Sequence, residues 1–234
     1  MAQGVLEKSL ASLKFGPMFS VPMGQVCYED ADRLNQELIK LFFERESEGE
    51  KWQKFPRFDT QHGELFESRF DLFYWPDKPV KELAGFCHTA LGALLRKITD
   101  YTDEEFQELT FDYHAWFHIT RKGGYQGMHN HPNASWSGIY CIDPGEDVEA
   151  RPDSGAVRFH DTRTDSSMYM DAGNRRLISP WALAGQQIEH EAGKLVMFPS
   201  YLRHEIFPYI GERPRIVVSF NCWIKSPKEL QQGG

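Results

Sequence analysis

Two histidines one residue apart, His129 and His131, stand in the run Met128-His129-Asn130-His131-Pro132-Asn133. If that backbone is extended, side chains alternate with a period of two and the pair projects from one face. Two imidazoles on one face make two legs of a metal site, and imidazole suits iron, zinc, copper and nickel alike. The plain alternative is two polar residues on an exposed strand or turn. A third leg has to come from far along the chain. His204 is the best candidate, because it follows the apolar run Leu195-Val196-Met197-Phe198. Eleven residues later Arg215 opens a strongly strand-like stretch.

In Arg215 to Ile224, a period of two puts Arg215, Val217, Ser219, Asn221 and Trp223 on one face. Ile216, Val218, Phe220, Cys222 and Ile224 take the other, which is wholly apolar and must be core. If the first face looks inward, Arg215 is a buried cation that needs an anion, and a carboxylate ligand would pair with it in bidentate fashion. Ser219 would add a hydroxyl to the same carboxylate. Arg213 competes for this role, but Gly211-Glu212 and Pro214 keep it in the turn. Of the other histidines, His114 and His118 share a strand face as solvated or satisfied groups. His160 with Asp161 is a minor alternative source of a metal carboxylate. His62, His88 and His190 have no supporting context.

The elements that must position these residues fall into two textures. Asp30 can cap a helix carrying Leu34, Leu38, Leu41 and Phe42, which ends in a solvated acidic loop, Glu44 to Lys51. A second helix fits Val80 to Ile98, with Pro79 at its start and Leu83, Phe86, Ala90, Leu91, Leu94 and Ile98 as its stripe. Thr102-Asp103-Glu104-Glu105 is a capping box for a short third. Phe15 to Met23 is at best an edge strand, and Trp52 to Trp75 has no clear period. From Phe111 onward the chain is β-branched, aromatic and turn-rich, with strands at Ser137 to Ile142, Ala156 to His160, Lys194 to Phe198 and Arg215 to Ile224. The long segment Asp161 to Glu191 holds loops and a strand near Leu177-Ile178. The expectation is one α+β domain over 1–234, with a mainly helical support region at 1–110 and a β-roll core at 111–226.

Composition narrows the class. A formal net charge of −8 and a pI near 5.6 argue against broad nucleic-acid binding. The four scattered cysteines read as free thiols in a reducing cytoplasm. No apolar run has the length of a membrane span. The expected partner is a small-molecule or peptide substrate, and a homodimer is the ordinary expectation for assembly.

His129-x-His131-Pro132-Asn133, Ser137-Gly138-Ile139-Tyr140, Gly193 to Ser200, His204 and Arg215 to Asn221 follow one another in a set order. This succession, spanning Trp116 to Trp223, resembles the 2-oxoglutarate/Fe(II) oxygenases of bacteria, small relatives of the prolyl hydroxylase branch. The resemblance implies a double-stranded β-helix of the jelly-roll, cupin-like kind with supporting N-terminal helices. It implies Fe(II) on His129, His131 and His204, and 2-oxoglutarate as cosubstrate, decarboxylated to succinate while a substrate C–H is hydroxylated. Arg215 matches the arginine that binds the far carboxylate, Ser219 a hydroxyl four residues on, and Ile139 a pocket-lining aliphatic residue. Cys141 and Asn221 join Ile139 as expected pocket residues. Two departures stand out: His131 where the superfamily usually has Asp or Glu, and Cys141 where relatives often have tyrosine. Three neutral imidazoles leave Fe(II) a net +2 site, which a dianion would neutralise. Two alternatives stay open: a cupin-type three-histidine dioxygenase that uses no 2-oxoglutarate, and a metal-containing binding module that catalyses nothing.

Overall fold

The alternation along Arg215 to Ile224 decides the architecture, because a strand with one wholly apolar face must bury it. In the computed structural model, which describes residues 7–8, 10–163, 169–183 and 185–227, it does so under helices. The chain forms β1 (Gly24–Cys27), α1 (Ala31–Ser47), β2 (Gln61–His62), β3 (Leu65–Glu67), α2 (Lys78–Ile98), α3 (Asp103–Gln107) and β4 (Thr110–Thr120). It continues through β5 (Tyr125–His129), β6 (Trp136–Asp143), β7 (Val157–Phe159), β8 (Gln186–Ile188), β9 (Lys194–Pro199), β10 (His204–Ile206) and β11 (Arg215–Lys225). One antiparallel sheet has the order β1-β9-β6-β11-β4-β3, the other β2-β5-β10-β7-β8. Two such sheets, their inner faces turned on each other, make the double-stranded β-helix.

The outer face of the larger sheet is the core. Ile216, Val218, Phe220 and Cys222 bury there with Ala115, Phe117 and Ile119 of β4 and Tyr140 of β6. Helix α1 brings Leu34, Leu38, Leu41 and Phe42 against them, and Phe42 stacks on Phe117 with centroids 4.0 Å apart. Asn35 fixes the helix on the sheet, donating to the Ile142 carbonyl at 3.0 Å and accepting from the Tyr140 hydroxyl at 2.9 Å. Both buried dipoles are thus satisfied. Gly138 pairs with Phe220 across β6 and β11, and a Cβ there would overlap the phenyl ring.

Several expectations shift by local chemistry. Asp30 makes no side-chain cap; its carboxylate takes the Arg33 guanidinium at 2.6 Å instead. The expected acidic loop is helical through Ser47 and turns again at Gly49–Lys51. On α2 the buried stripe runs Val80, Leu83, Cys87, Leu91, Leu95, while Ile98 is 44% exposed. The Thr102–Glu105 capping box forms as read. The aromatic stretch after Trp52 yields β2 and β3, which extend one sheet each. No strand forms at Phe15 to Met23 or at Leu177-Ile178; the strands lie beyond them, at β1 and β8.

By contact the chain divides into two compact units, Met1–Val21 with Asp165–Ala184 and Pro22–Thr164 with Gly185–Gly234. The second carries all the elements named above. In the first, Phe15 and Trp181 pack with ring centroids 5.8 Å apart.

Leu83→Ala should lower the unfolding free energy by ~2–5 kcal/mol through the cavity it leaves under the sheet. Ile98→Ala, at the exposed end of the same helix, should change it by no more than about 0.5 kcal/mol. Urea titrations of the two variants check the orientation of α2; equal losses would contradict it.

Candidate metal centre

Strand register brings the histidines together. His204 opens β10 directly opposite His129, the last residue of β5. His131 lies two residues past the strand, where its backbone N–H donates to Ser200 O at 2.8 Å. One ring nitrogen from each of the three can be chosen so that all lie within 4.8 Å of one another. Ring centroids are 4.3 Å apart for His129 and His204, and 5.2 and 5.3 Å for His131 to each.

The second contact of each ring sets its tautomer. His129 Nδ1 sits 2.7 Å from the Gly127 carbonyl and His204 Nδ1 3.0 Å from the Leu202 carbonyl. A carbonyl only accepts, so both Nδ1 atoms carry the proton and both Nε2 atoms are left with a free lone pair. Asn221 Nδ2 lies 3.4 Å from His131 Nδ1, and Asn221 Oδ1 accepts from Ser137, which also bonds Ser200. A flip of that amide exchanges donor for acceptor, so it can serve either tautomer of His131. Burial holds all three imidazoles below the ordinary histidine range. His131 is pushed down to about 4 by burial and then by His129. Neutral, converging imidazoles are the donor set that a first-row divalent metal accepts.

The facing sheet supplies a buried cation. Rows across β4, β11 and β6 read Trp116–Ser219–Ile139 and His118–Val217–Cys141, with Thr120 opposite Arg215. Trp116, His118, Ile139, Arg215, Val217 and Ser219 line one cavity with the three histidines. Arg215 is 2% exposed and has no carboxylate within ion-pair distance among the described residues. Among the described residues its Nη2 meets the Nδ1 of His190, at 3.3 Å. The pKa of His190 is held well below the usual range by burial and by Arg215, so the imidazole is a neutral acceptor. Gly155, at φ +66°, lets the arginine stem pass; a Cβ there would lie 2.9 Å from Arg215 Cδ. A buried guanidinium facing a cavity without a carboxylate fits an anionic ligand.

Other sequence candidates sort by position. Arg213 stays on the rim, its side chain 52% exposed and paired with Asp143. Ser219 stands two rows along β11 from Arg215, roughly 13 Å at about 3.4 Å per residue. Cys141 shares the row of His118 and Val217 near Arg215 but is not among the residues lining the cavity, and burial pushes its thiol up to about 12. Asn221 backs His131 and does not line the cavity. His160 pairs with Glu205 at 3.2 Å and Asp161 with Arg163, so neither joins the cluster. Sequence reasoning read His118 as a satisfied or solvated group, found no context for His190 and did not single out Glu67. The alternation of β4 puts His118 on the same face as Trp116 and Thr120, and only pairing with β3 reveals its partner, Glu67. All four cysteines are free, and no described helix is long and apolar enough to cross a membrane.

Three imidazoles converge between the sheets of a double-stranded β-helix. Residues 114–221 match the family described as "Putative 2OG-Fe(II) oxygenase". The fold is similar to that of a Pseudomonas putida prolyl-4-hydroxylase, with TM-score 0.60, 17% identity, and 95% and 98% of the two chains covered. A prolyl hydroxylase from Trichoplax adhaerens gives TM-score 0.55, 11% identity, and 91% and 87% covered. A non-haem α-ketoglutarate-dependent carbocyclase of nogalamycin biosynthesis gives 0.58, 9%, and 92% and 85%. No curated protein matches the chain.

The depressed histidines fix a pH dependence. An unfolded histidine titrates near 6.5, so between the folded values and that point the unfolded chain binds more protons. Stability of the metal-free protein should therefore rise as pH climbs from about 4 to about 6.5. His131→Gln should flatten the rise, which urea midpoints across that range measure. A slope unchanged by the substitution would contradict the assignment.

Proposed function

We propose that this protein is a 2-oxoglutarate- and Fe(II)-dependent oxygenase that hydroxylates a C–H bond of a small molecule or peptide in the cytoplasm. The observation that carries the reading is Arg215, a buried cation with no carboxylate partner among the described residues, in the same cavity as three convergent imidazoles. His129 and His204 would hold the metal through Nε2, and His131 would complete the set. Bound Fe(II) and 2-oxoglutarate supply oxygen activation coupled to loss of CO2.

The chain's own groups do the rest. Arg215 orients the cosubstrate by its far carboxylate, and His190 steadies the guanidinium from behind. Backbone carbonyls of Gly127 and Leu202 fix the imidazole planes. Leu65, Ile139, Phe198, Ile206 and Val217 form apolar walls that keep water from the cavity. Trp116, its ring centroid 5.9 Å from that of His131, leaves a flat surface beside the metal for substrate. A cupin-type dioxygenase using three histidines alone would have no use for Arg215. The acidic balance of the chain and its free cysteines support an intracellular substrate other than nucleic acid.

Replacing His129, His131 or His204 by Ala should abolish stoichiometric iron, read by metal analysis after anaerobic loading. Arg215→Ala should keep the metal and lose ~2–5 kcal/mol of 2-oxoglutarate affinity. That corresponds to about 30- to 4,000-fold. Calorimetry on anaerobic Fe(II) protein tests it. Absence of 2-oxoglutarate binding to the wild type would sink the cosubstrate and favour the cupin-type reading.

A further inference from the structure

Behind His118 of the cavity wall stands a carboxylate that the proposed reaction does not use. Glu67 on β3 pairs in register with His118 on β4. Its Oε2 accepts from His118 Nε2 at 2.7 Å and from Gln61 Nε2 at 2.7 Å. Its Oε1 is buried with no partner among the described residues. Glu67 and His118 are 4% and 3% exposed. Burial works to raise the Glu67 carboxyl, but the hydrogen bonds of His118 and Gln61 outweigh it and hold the group below the ordinary range, ionised. His118, which holds this carboxylate, lines the same cavity as His129, His131 and His204.

Burying a carboxylate this completely is weak evidence of a gain in stability, because desolvation offsets much of the attraction. The charge balance of the centre gives it another purpose. Fe(II) on three neutral imidazoles carries +2, a bound 2-oxoglutarate dianion −2 and Arg215 +1, which leaves an excess of one positive charge. A carboxylate ligand in place of His131 would cancel it. Where the His118 imidazole is neutral and donates through Nε2, Glu67 cancels it from outside the ligand set.

We propose that Glu67, acting through His118, is the counter-charge of the three-histidine centre, a positioning residue doing the electrostatic work of the missing carboxylate ligand. This rests on the metal and 2-oxoglutarate reading above. It predicts effects of opposite sign. Removing the charge should weaken a cation's hold on the site and strengthen a dianion's hold on the metal-loaded site, whereas structural damage would weaken both.

The experiment uses the full chain with Co(II), which needs no protection from oxygen. Metal affinity is read by chelator competition and 2-oxoglutarate affinity by calorimetry on Co(II)-loaded protein. Glu67→Gln should weaken Co(II) by ~10- to 100-fold. It should tighten 2-oxoglutarate by about fivefold or more. Gln61→Met keeps the carboxylate and removes one hydrogen bond, so at pH 8 both affinities should stay within roughly threefold of wild type, inside the spread of one neutral hydrogen bond. That second variant keeps the test open if Glu67→Gln does not fold. Wild type that binds neither Co(II) nor 2-oxoglutarate would overturn the enzyme reading itself. Wild type that binds both, with Glu67→Gln weakening both or changing neither, would overturn this proposal alone. So would Gln61→Met weakening Co(II) tenfold.

Discussion

A guanidinium taken out of water without a carboxylate to meet it is the most demanding group in this chain. An isolated buried charge is expensive, and a fold keeps one only where something compensates it. Arg215 sits at the start of β11, with Thr120 of β4 opposite and β6 alongside, so it cannot swing to solvent. His190 offers a lone pair but no charge, and Gly155 gives up its side chain to let the stem through. These features make sense as a cradle for an anion, and a metal held by the three imidazoles across the cavity would give that anion a second attachment.

The helices serve the same end from the other side. A sheet whose inner face carries histidines, serine and arginine cannot hold itself together through that face. The outer face of the larger sheet has to supply the cohesion, and it does so through the aliphatic and aromatic stripes of α1 and α2. Where the packing touches polar atoms it satisfies them, as Asn35 does between the Ile142 carbonyl and the Tyr140 hydroxyl. The cavity can then stay polar because the stability of the sheet is secured elsewhere.

Structures sharing this fold include hydroxylases and a carbocyclase at 17% identity or less. At such distances the likeness is one of fold, and the residues of the cavity walls set what a given site can do. Here the wall beside the centre combines Trp116, His118 and a buried carboxylate, a different balance from a site whose charge lies within the ligand set.

By itself the sequence determined the parts whose information is local. Period-two alternation separated the core face of β11 from its cavity face, a period of 3.6 marked both long helices, and the Thr102–Glu105 spacing announced its capping box. The histidine spacing and the isolated Arg215 made the ligand candidates legible before any contact was known. Tertiary structure decided what depends on pairing between distant strands. It set His204 against His129, chose Arg215 over Arg213 by burying one and pairing the other with Asp143, and put Glu67 on His118. It also brought His190 to Arg215. None of these carries a periodic signal, because the partner of a residue in a sheet is fixed by register across the ladder, and register is a property of the packed whole.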